Sequence, residues 1–283
     1  MSSASASALL PLLRMSINAQ QQAPAVTPSS SSSSSTTTDV APSERVVKEM
    51  SKEDRRWLEE AMTELTKNPV DEMIKLVKFL KEHQGGDNVD DQLRALQGLL
   101  AFTEDIDLAR DLHKIQGLEL VVRLIDSSPH AQVRASACEV LAATTANNPE
   151  PQLWAMELNA IPILSKLLTA ETSSFVEKQK AIFAVSSIVR QNDKAYVEFV
   201  NKQQGFQILH AVLSTFKDKE GLPARKKAVF LLLYLITRAP ATAKPMAPGF
   251  CPVLVACVQA DAEDDPSFAE HAKEVLDILS RHL

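Results

Sequence analysis

Six histidines, three cysteines and a few close-set carboxylates are the groups in this 283-residue chain that could bind a metal or move a proton. The histidines are His83, His113, His130, His210, His271 and His282. No two of them lie three to five residues apart, so no helix can present a zinc-binding pair. His113 and His210 fall inside helical patterns and read as packing or surface residues. The acids Asp261, Glu263, Asp264 and Asp265 are dense, but they stand directly before Pro266 and lack the spacing of a calcium loop. A solvated turn followed by first-turn helix acids accounts for them. Asp105 and Asp107 could form a carboxylate pair, yet both suit the start of a helix. Cys138, Cys251 and Cys257 are odd in number and contain no C-x-x-C, which suits small buried hydrophobes in a reducing compartment. Glycine-rich phosphate loops, H-E-x-x-H and G-x-S-x-G are all missing. These residues predict no catalytic group, no metal, no cofactor and no enzyme.

The elements that carry these residues are helical. The chain has only 7 glycines and 5% aromatic residues, too few for the turns and strands of a sheet-rich fold. Leu, Ala, Glu, Lys and Gln predominate instead, and they lose little entropy in a helix. A net charge of −6 gives no footprint for a phosphate backbone, so nucleic acid is not expected as a partner. The longest apolar stretch, Ala228 to Ile236, suits a buried core helix and is too short for a membrane span.

Residues 1–38 hold no acid, one arginine and the tract Ser29 to Thr38, a composition that cannot offset its ordering entropy and predicts a disordered arm. The same composition fits an organelle transit peptide. A cytoplasmic location is expected, with an organellar one the alternative if residues 1–10 or so belong to such a peptide. Ser51 followed by Asp54 reads as a helix start, and Asn68-Pro69 breaks that helix and opens another. In the second, Met73, Leu76, Val77 and Leu80 share one face, and Gly85-Gly86 ends it.

From there the chain repeats. A small residue leads apolar positions at plus one, four, seven and eight. Gly117 leads Leu118, Val121, Leu124 and Ile125; Ala160 leads Ile161, Leu164, Leu167 and Leu168. Gly205 leads Phe206, Leu209, Val212 and Leu213; Gly249 leads Phe250, Val253, Ala256 and Cys257. The leaders are 43, 45 and 44 residues apart. A second apolar helix opens at Arg94-Ala95, Arg134-Ala135, Lys180-Ala181 and Lys227-Ala228, and a short helix lies between it and the next leader. Three helices per unit at this period predict an all-α, armadillo-type right-handed α-solenoid of about four repeats of roughly 44 residues with helical caps. The division is a Ser/Thr-rich arm over residues 1–43, a helical cap over 44–88, and repeats over 89–129, 130–172, 173–218 and 219–262. A capping helix over 263–283 follows. Stacked third helices leave a long concave face, a docking surface for a large protein. A capped solenoid is expected to be a monomer.

Several strings carry a family resemblance. "MSKEDRRWLEEAM" (Met50 to Met62), "EDIDLARDLHKIQGLELVVRLI" (Glu104 to Ile125), "NNPEPQ" (Asn147 to Gln152), "KAIFAVSSIVRQN" (Lys180 to Asn192) and "ARKKAVFLLLYLI" (Ala224 to Ile236) occur in order. With them goes "LLRMSINAQ" (Leu12 to Gln20) in the arm. Together they resemble the Fes-type, heat-shock-protein-70-binding family of armadillo nucleotide exchange factors, over nearly the whole chain. The resemblance implies an adenyl-nucleotide exchange co-chaperone whose concave face wraps one lobe of the chaperone's nucleotide-binding domain and promotes ADP release. It implies contacts from Ala109, Arg110 and Asp111, from Asn147, Asn148 and Gln152, and from Arg190, Gln191 and Asn192. The family usually has Asn-Asp where this chain has Arg110-Asp111, a departure at one of those contacts. Asn148-Pro149 also suits a helix cap. Leu12, Leu13, Met15 and Ile17 resemble a pseudo-substrate segment that displaces clients. The alternative is a general armadillo adaptor or scaffold. Import-type adaptors line their groove with repeated tryptophans, and Trp57 with Trp154 cannot build such a ladder.

Overall fold

The computed structural model describes residues 51–53, 55–59, 68–86, 88–215, 219–239, 241, 245, 247–261 and 265–281. Chain contacts divide it into residues 1–67 and residues 68–283. In the first unit residues 55–59 are helical, while Asp54 and the arm residues Leu12, Leu13, Met15 and Ile17 lie outside the described residues.

The second unit is helical, with no strand among the described residues. Its elements are α1 (Pro69–Glu82), α2 (Val89–Thr103), α3 (Ile106–Lys114), α4 (Gly117–Ser127), α5 (Ala131–Thr145), α6 (Pro149–Glu157) and α7 (Ala160–Thr169). They continue as α8 (Phe175–Val189), α9 (Asp193–Val197) with a π-helical turn at Glu198–Lys202, α10 (Gly205–Thr215), α11 (Leu222–Arg238), α12 (Ala247–Asp261) and α13 (Pro266–Ser280).

Local chemistry fixes most of the starts. Asn68 accepts the Val70 N–H at 3.1 Å, with Pro69 opening α1. Asp105 accepts the N–H groups of Asp107 and Leu108 at 2.9 and 3.1 Å, which confirms it as a helix-start acid. Ser174 and Glu177 form a reciprocal capping box at α8, and Asp265 accepts the Phe268 N–H at 3.0 Å at α13. The pairs Arg94-Ala95, Arg134-Ala135, Lys180-Ala181 and Lys227-Ala228 do not open their helices; they sit in the first two turns, because the caps act three to five residues earlier.

Each repeat turns twice through a left-handed residue. Gln116, Asn159 and Gln204, with φ of 60°, 56° and 57°, stand immediately before the leaders Gly117, Ala160 and Gly205. Asn147 and Gln191, at 52° and 60°, follow the long helices α5 and α8. The leaders must be small because the preceding short helix folds back on them. A Cβ on Gly205 would lie 2.6 Å from the Phe199 ring and 2.9 Å from the Phe199 carbonyl oxygen.

Packing follows three ladders. The long helices α2, α5, α8, α11 and α13 each contact the next; α4, α7, α10 and α12 do the same, and α3 lies against α6. The apolar stripes predicted after Gly117, Ala160 and Gly205 are buried throughout, and one hydrophobic core runs from Met73 to Leu279. The fourth stripe departs from expectation. Gly249 is the third residue of α12, Leu254 is buried and Ala256 is exposed, while Pro252 lies inside the helix. A proline at that place removes a helical hydrogen bond and re-aims the helix, so the register differs from the other three.

Polar rungs cross the repeats at the same period. The guanidinium of Arg134 donates to Glu177 at 2.7 and 2.8 Å, and Glu177 is fully buried. Thr145 and Ser187 share a 2.6 Å hydroxyl bond, and Lys226 meets Asp265 at 2.7 Å.

Candidate functional site

The five long helices present one side of the stack as a continuous surface. Residues at helical spacing on that side remain partly exposed: Leu93, Gln97 and Leu100 on α2, then Ser136, Glu139 and Ala143 on α5. They continue with Lys180, Phe183, Ser186 and Arg190 on α8, and Lys227, Phe230 and Tyr234 on α11. The surface changes character along its length.

Between α2 and α5 it holds a recess of about 380 Å³ walled by Leu93, Leu96, Leu100 and Gln97, with Ser136 and Glu139 opposite. Between α8 and α11 it is basic and aromatic. The Lys227 ammonium lies 4.5 Å from the centre of the Phe183 ring, and the Arg190 guanidinium 5.0 Å from that of Tyr234. The Tyr234 hydroxyl accepts the Gln191 N–H at 3.0 Å and Arg238 at 2.9 Å, which locks the ring under Arg190. Burial holds the Lys227 ammonium below the usual lysine range, and the neighbouring charges of Lys180, Lys226 and Arg190 push it the same way. Lys180 is paired to Glu139 and Lys226 to Asp265. A stack of like charges on aromatic platforms is a surface suited to an anionic partner.

The residues named from sequence fall into two groups. Arg110 and Asp111 on α3 are partly exposed, the first ion-paired to Glu150 at 2.9 Å and the second to Lys114 at 2.7 Å. Asn147, Arg190 and Gln191 are exposed at the C-terminal ends of α5 and α8. The other four do not present side chains to a partner, and for them the expectation is corrected. Ala109 is 1% exposed. Asn148 is buried and donates to the Ile106 carbonyl at 3.2 Å across the repeat boundary; it precedes Pro149 as the cap residue but makes no side-chain cap bond. Gln152 is buried, and its amide donates to the carbonyls of Thr145, Ser187 and Arg190 at 3.2, 2.9 and 3.2 Å. Asn192 is buried and caps α9 through the Ala195 N–H at 3.0 Å. These polar side chains saturate helix-end groups that would otherwise be buried unpaired.

Lys227, Phe183 and Tyr234 were not singled out by sequence. They stand in the outward phase of their helices, at Lys180-x2-Phe183 and Lys227-x2-Phe230-x3-Tyr234, and reading that phase for charge would have found them. His113 stacks on Trp154 at 4.1 Å, and His210 lies 3.2 Å from the Gly249 carbonyl oxygen, both packing roles. All three cysteines are free, and burial pushes the Cys138 thiol well above its ordinary range. Among the described residues no group of three or more His, Cys, Asp or Glu could hold a metal ion.

Two family models match this chain in succession. The model described as nucleotide exchange factor Fes1 matches residues 9–112, and the SIL1/FES1/HPBP1 C-terminal domain matches residues 108–246. The chain belongs to the SIL1/FES1/HPBP1 family. The nucleotide exchange factor SIL1 of Xenopus laevis is 27% identical over 179 residues, 63% of this chain and 38% of that protein. Hsp70-binding protein 1 of Homo sapiens is 27% identical over 202 residues, 68% of this chain and 55% of that protein. The chain thus spans about half or less of the length of these relatives. Among solved structures, the armadillo-repeats-only protein of Plasmodium falciparum superposes with a TM-score of 0.58 at 13% identity, covering 81% of this chain and 98% of that one. A designed armadillo repeat protein in complex with the peptide (KR)4 superposes with a TM-score of 0.56 at 16% identity, covering 81% of this chain and 95% of that one. The likeness establishes the armadillo fold of the solenoid.

Proposed function

We propose that this chain is a nucleotide exchange factor that grips the nucleotide-binding domain of an Hsp70 chaperone through the α2–α13 long-helix surface and promotes ADP release. Membership of a family whose model is described as a nucleotide exchange factor carries the reading. The surface itself supports it, being broad, shallow and furnished with charge and aromatic rings, as a large folded partner requires. The factor acts as a monomer in the cytoplasm, without covalent chemistry or cofactor, and the arm residues Leu12, Leu13, Met15 and Ile17 serve as pseudo-substrate.

Exchange of this kind is a coupling free energy. The factor favours the chaperone conformation that holds ADP poorly, so ADP must weaken the factor by the same proportion. The (KR)4 peptide of the designed relative is a poor model for the partner here, because Lys180, Arg190 and Lys227 would repel a basic peptide. The test is calorimetric titration of the chaperone's nucleotide-binding domain, with and without ADP. Affinity for the nucleotide-free domain should exceed that for the ADP form by about 5- to 150-fold, the usual range of such coupling. Equal affinity for both would rule the reading out and leave a scaffold that binds without exchanging.

A further inference from the structure

Every lysine on the basic half of the long-helix surface except one has a carboxylate partner. Lys180 is paired to Glu139 on the preceding repeat, and Lys226 to Asp265 on the following one. Lys227 has none among the described residues, nor has Arg190. Lys227 is nevertheless half-buried, laid on the Phe183 ring 4.5 Å away, with Lys180, Lys226 and Arg190 all acting on it as like charges. Removing a charge from water without a counter-charge is unfavourable, and clustering it with three others adds to the cost. A fold selected only for its own stability would place a carboxylate or an apolar residue there. Arg190 is oriented to serve the same point. Its Nε donates to the Ser186 hydroxyl at 3.2 Å and its guanidinium plane is held on Tyr234, so the fork is fixed in place and free to take a carboxylate in two parallel hydrogen bonds.

We propose that Lys227 and Arg190 form a subsite for a single carboxylate side chain, presented by an acidic segment of the bound protein. The proposal deepens the exchange-factor reading and rests on it. Binding supplies the counter-charge that the solenoid lacks, so the subsite sets which face of the partner lies on α8 and α11. The aromatic rings of Phe183 and Tyr234 exclude water from the pair once it forms, which strengthens it.

The test compares binding of full-length wild-type chain, Lys227→Glu, Lys227→Arg and the remote control Lys166→Glu to a nucleotide-free Hsp70 nucleotide-binding domain, by calorimetry at two salt concentrations. Lys166 lies on the second-helix ladder in an exposed pair with Asp126. Lys227→Glu should raise Kd at least about tenfold, as expected for charge reversal at a desolvated pair. Lys227→Arg and Lys166→Glu should stay within about threefold, and the salt dependence of Kd should be shallower for Lys227→Glu than for wild type. Lys227→Met, an uncharged chain of similar length, should keep the thermal midpoint at or above that of wild type while losing affinity, which separates binding from folding. If wild type binds and Lys227→Glu binds within twofold of it, the subsite is overturned and the exchange-factor reading stands. If wild type does not bind, both fall.

Discussion

Removing Glu177 should cost more stability than removing any other acid of the described ion pairs, and the structure fixes the size of the effect. Glu177 is fully buried between α5 and α8, takes two bonds from Arg134 through one oxygen, and accepts the Ser174 N–H at 2.8 Å through the other. Deleting one partner of a buried pair costs about 3–5 kcal/mol because the other charge is stranded. Arg134 keeps 19% of its side chain exposed and can recover some hydration, which favours the lower end, about 3 kcal/mol. Loss of the capping box adds about 1 kcal/mol. Glu177→Ala is therefore expected to lose about 4 kcal/mol in urea unfolding, a large part of the roughly 5–15 kcal/mol that holds a domain together. Glu139→Ala, which breaks a pair with 27% and 34% of its side chains exposed, should lose no more than about 1 kcal/mol. The double variant Arg134→Ala/Glu177→Ala should cost less than the sum of its singles by about 1–3 kcal/mol. A Glu177→Ala cost no larger than that of Glu139→Ala would refute the claim that this rung welds the second repeat to the third.

Gly205→Ala, forcing a Cβ to 2.6 Å from Phe199, should destabilise by about 1–3 kcal/mol, whereas Gly249→Ala, whose Cβ would come no nearer than 3.7 Å to His210, should be neutral or stabilising by up to about 1 kcal/mol; paired urea curves read both. Gln152→Leu leaves the carbonyls of Thr145, Ser187 and Arg190 without this donor and should cost about 1–3 kcal/mol while circular dichroism stays helical. Hydrogen bonds from Lys226 and then the Phe268 N–H hold the Asp265 carboxyl below its usual range. A depressed carboxylate stabilises the fold above its unfolded value, near about 4, and loses that contribution as pH falls through the folded value. Asp265→Asn should therefore lower the thermal midpoint at pH 7, and the gap from wild type should close as pH falls below about 4.

The solenoid was legible because each of the first three units carries the same marks. A left-handed Gln or Asn precedes a small leader, and the apolar stripe keeps one phase from Leu118 to Leu213. The fourth unit was not, since Pro252 alters the helix locally and the stripe slips from Val253 to Leu254. Polar residues explain the uneven reading of the site. Asn148, Gln152 and Asn192 recur at the repeat period, as partner contacts would, but so do the helix-end groups of each repeat that need a buried donor or acceptor. Spacing alone does not separate the two. Arg190 was recognisable because it is charged and closes a long helix; Lys227 was hidden inside an apolar run, where only the exposed phase of α11 marks it.

The central claim is exchange itself, and its most direct test is release of a fluorescent ADP analogue from a full-length Hsp70 chaperone, followed by stopped flow with and without this chain. Release should accelerate with increasing chain concentration and saturate, and Arg190→Ala, a change at an exposed position, should weaken the acceleration while leaving the fold intact. Unchanged release at saturating chain, with binding confirmed in the same samples, would contradict it.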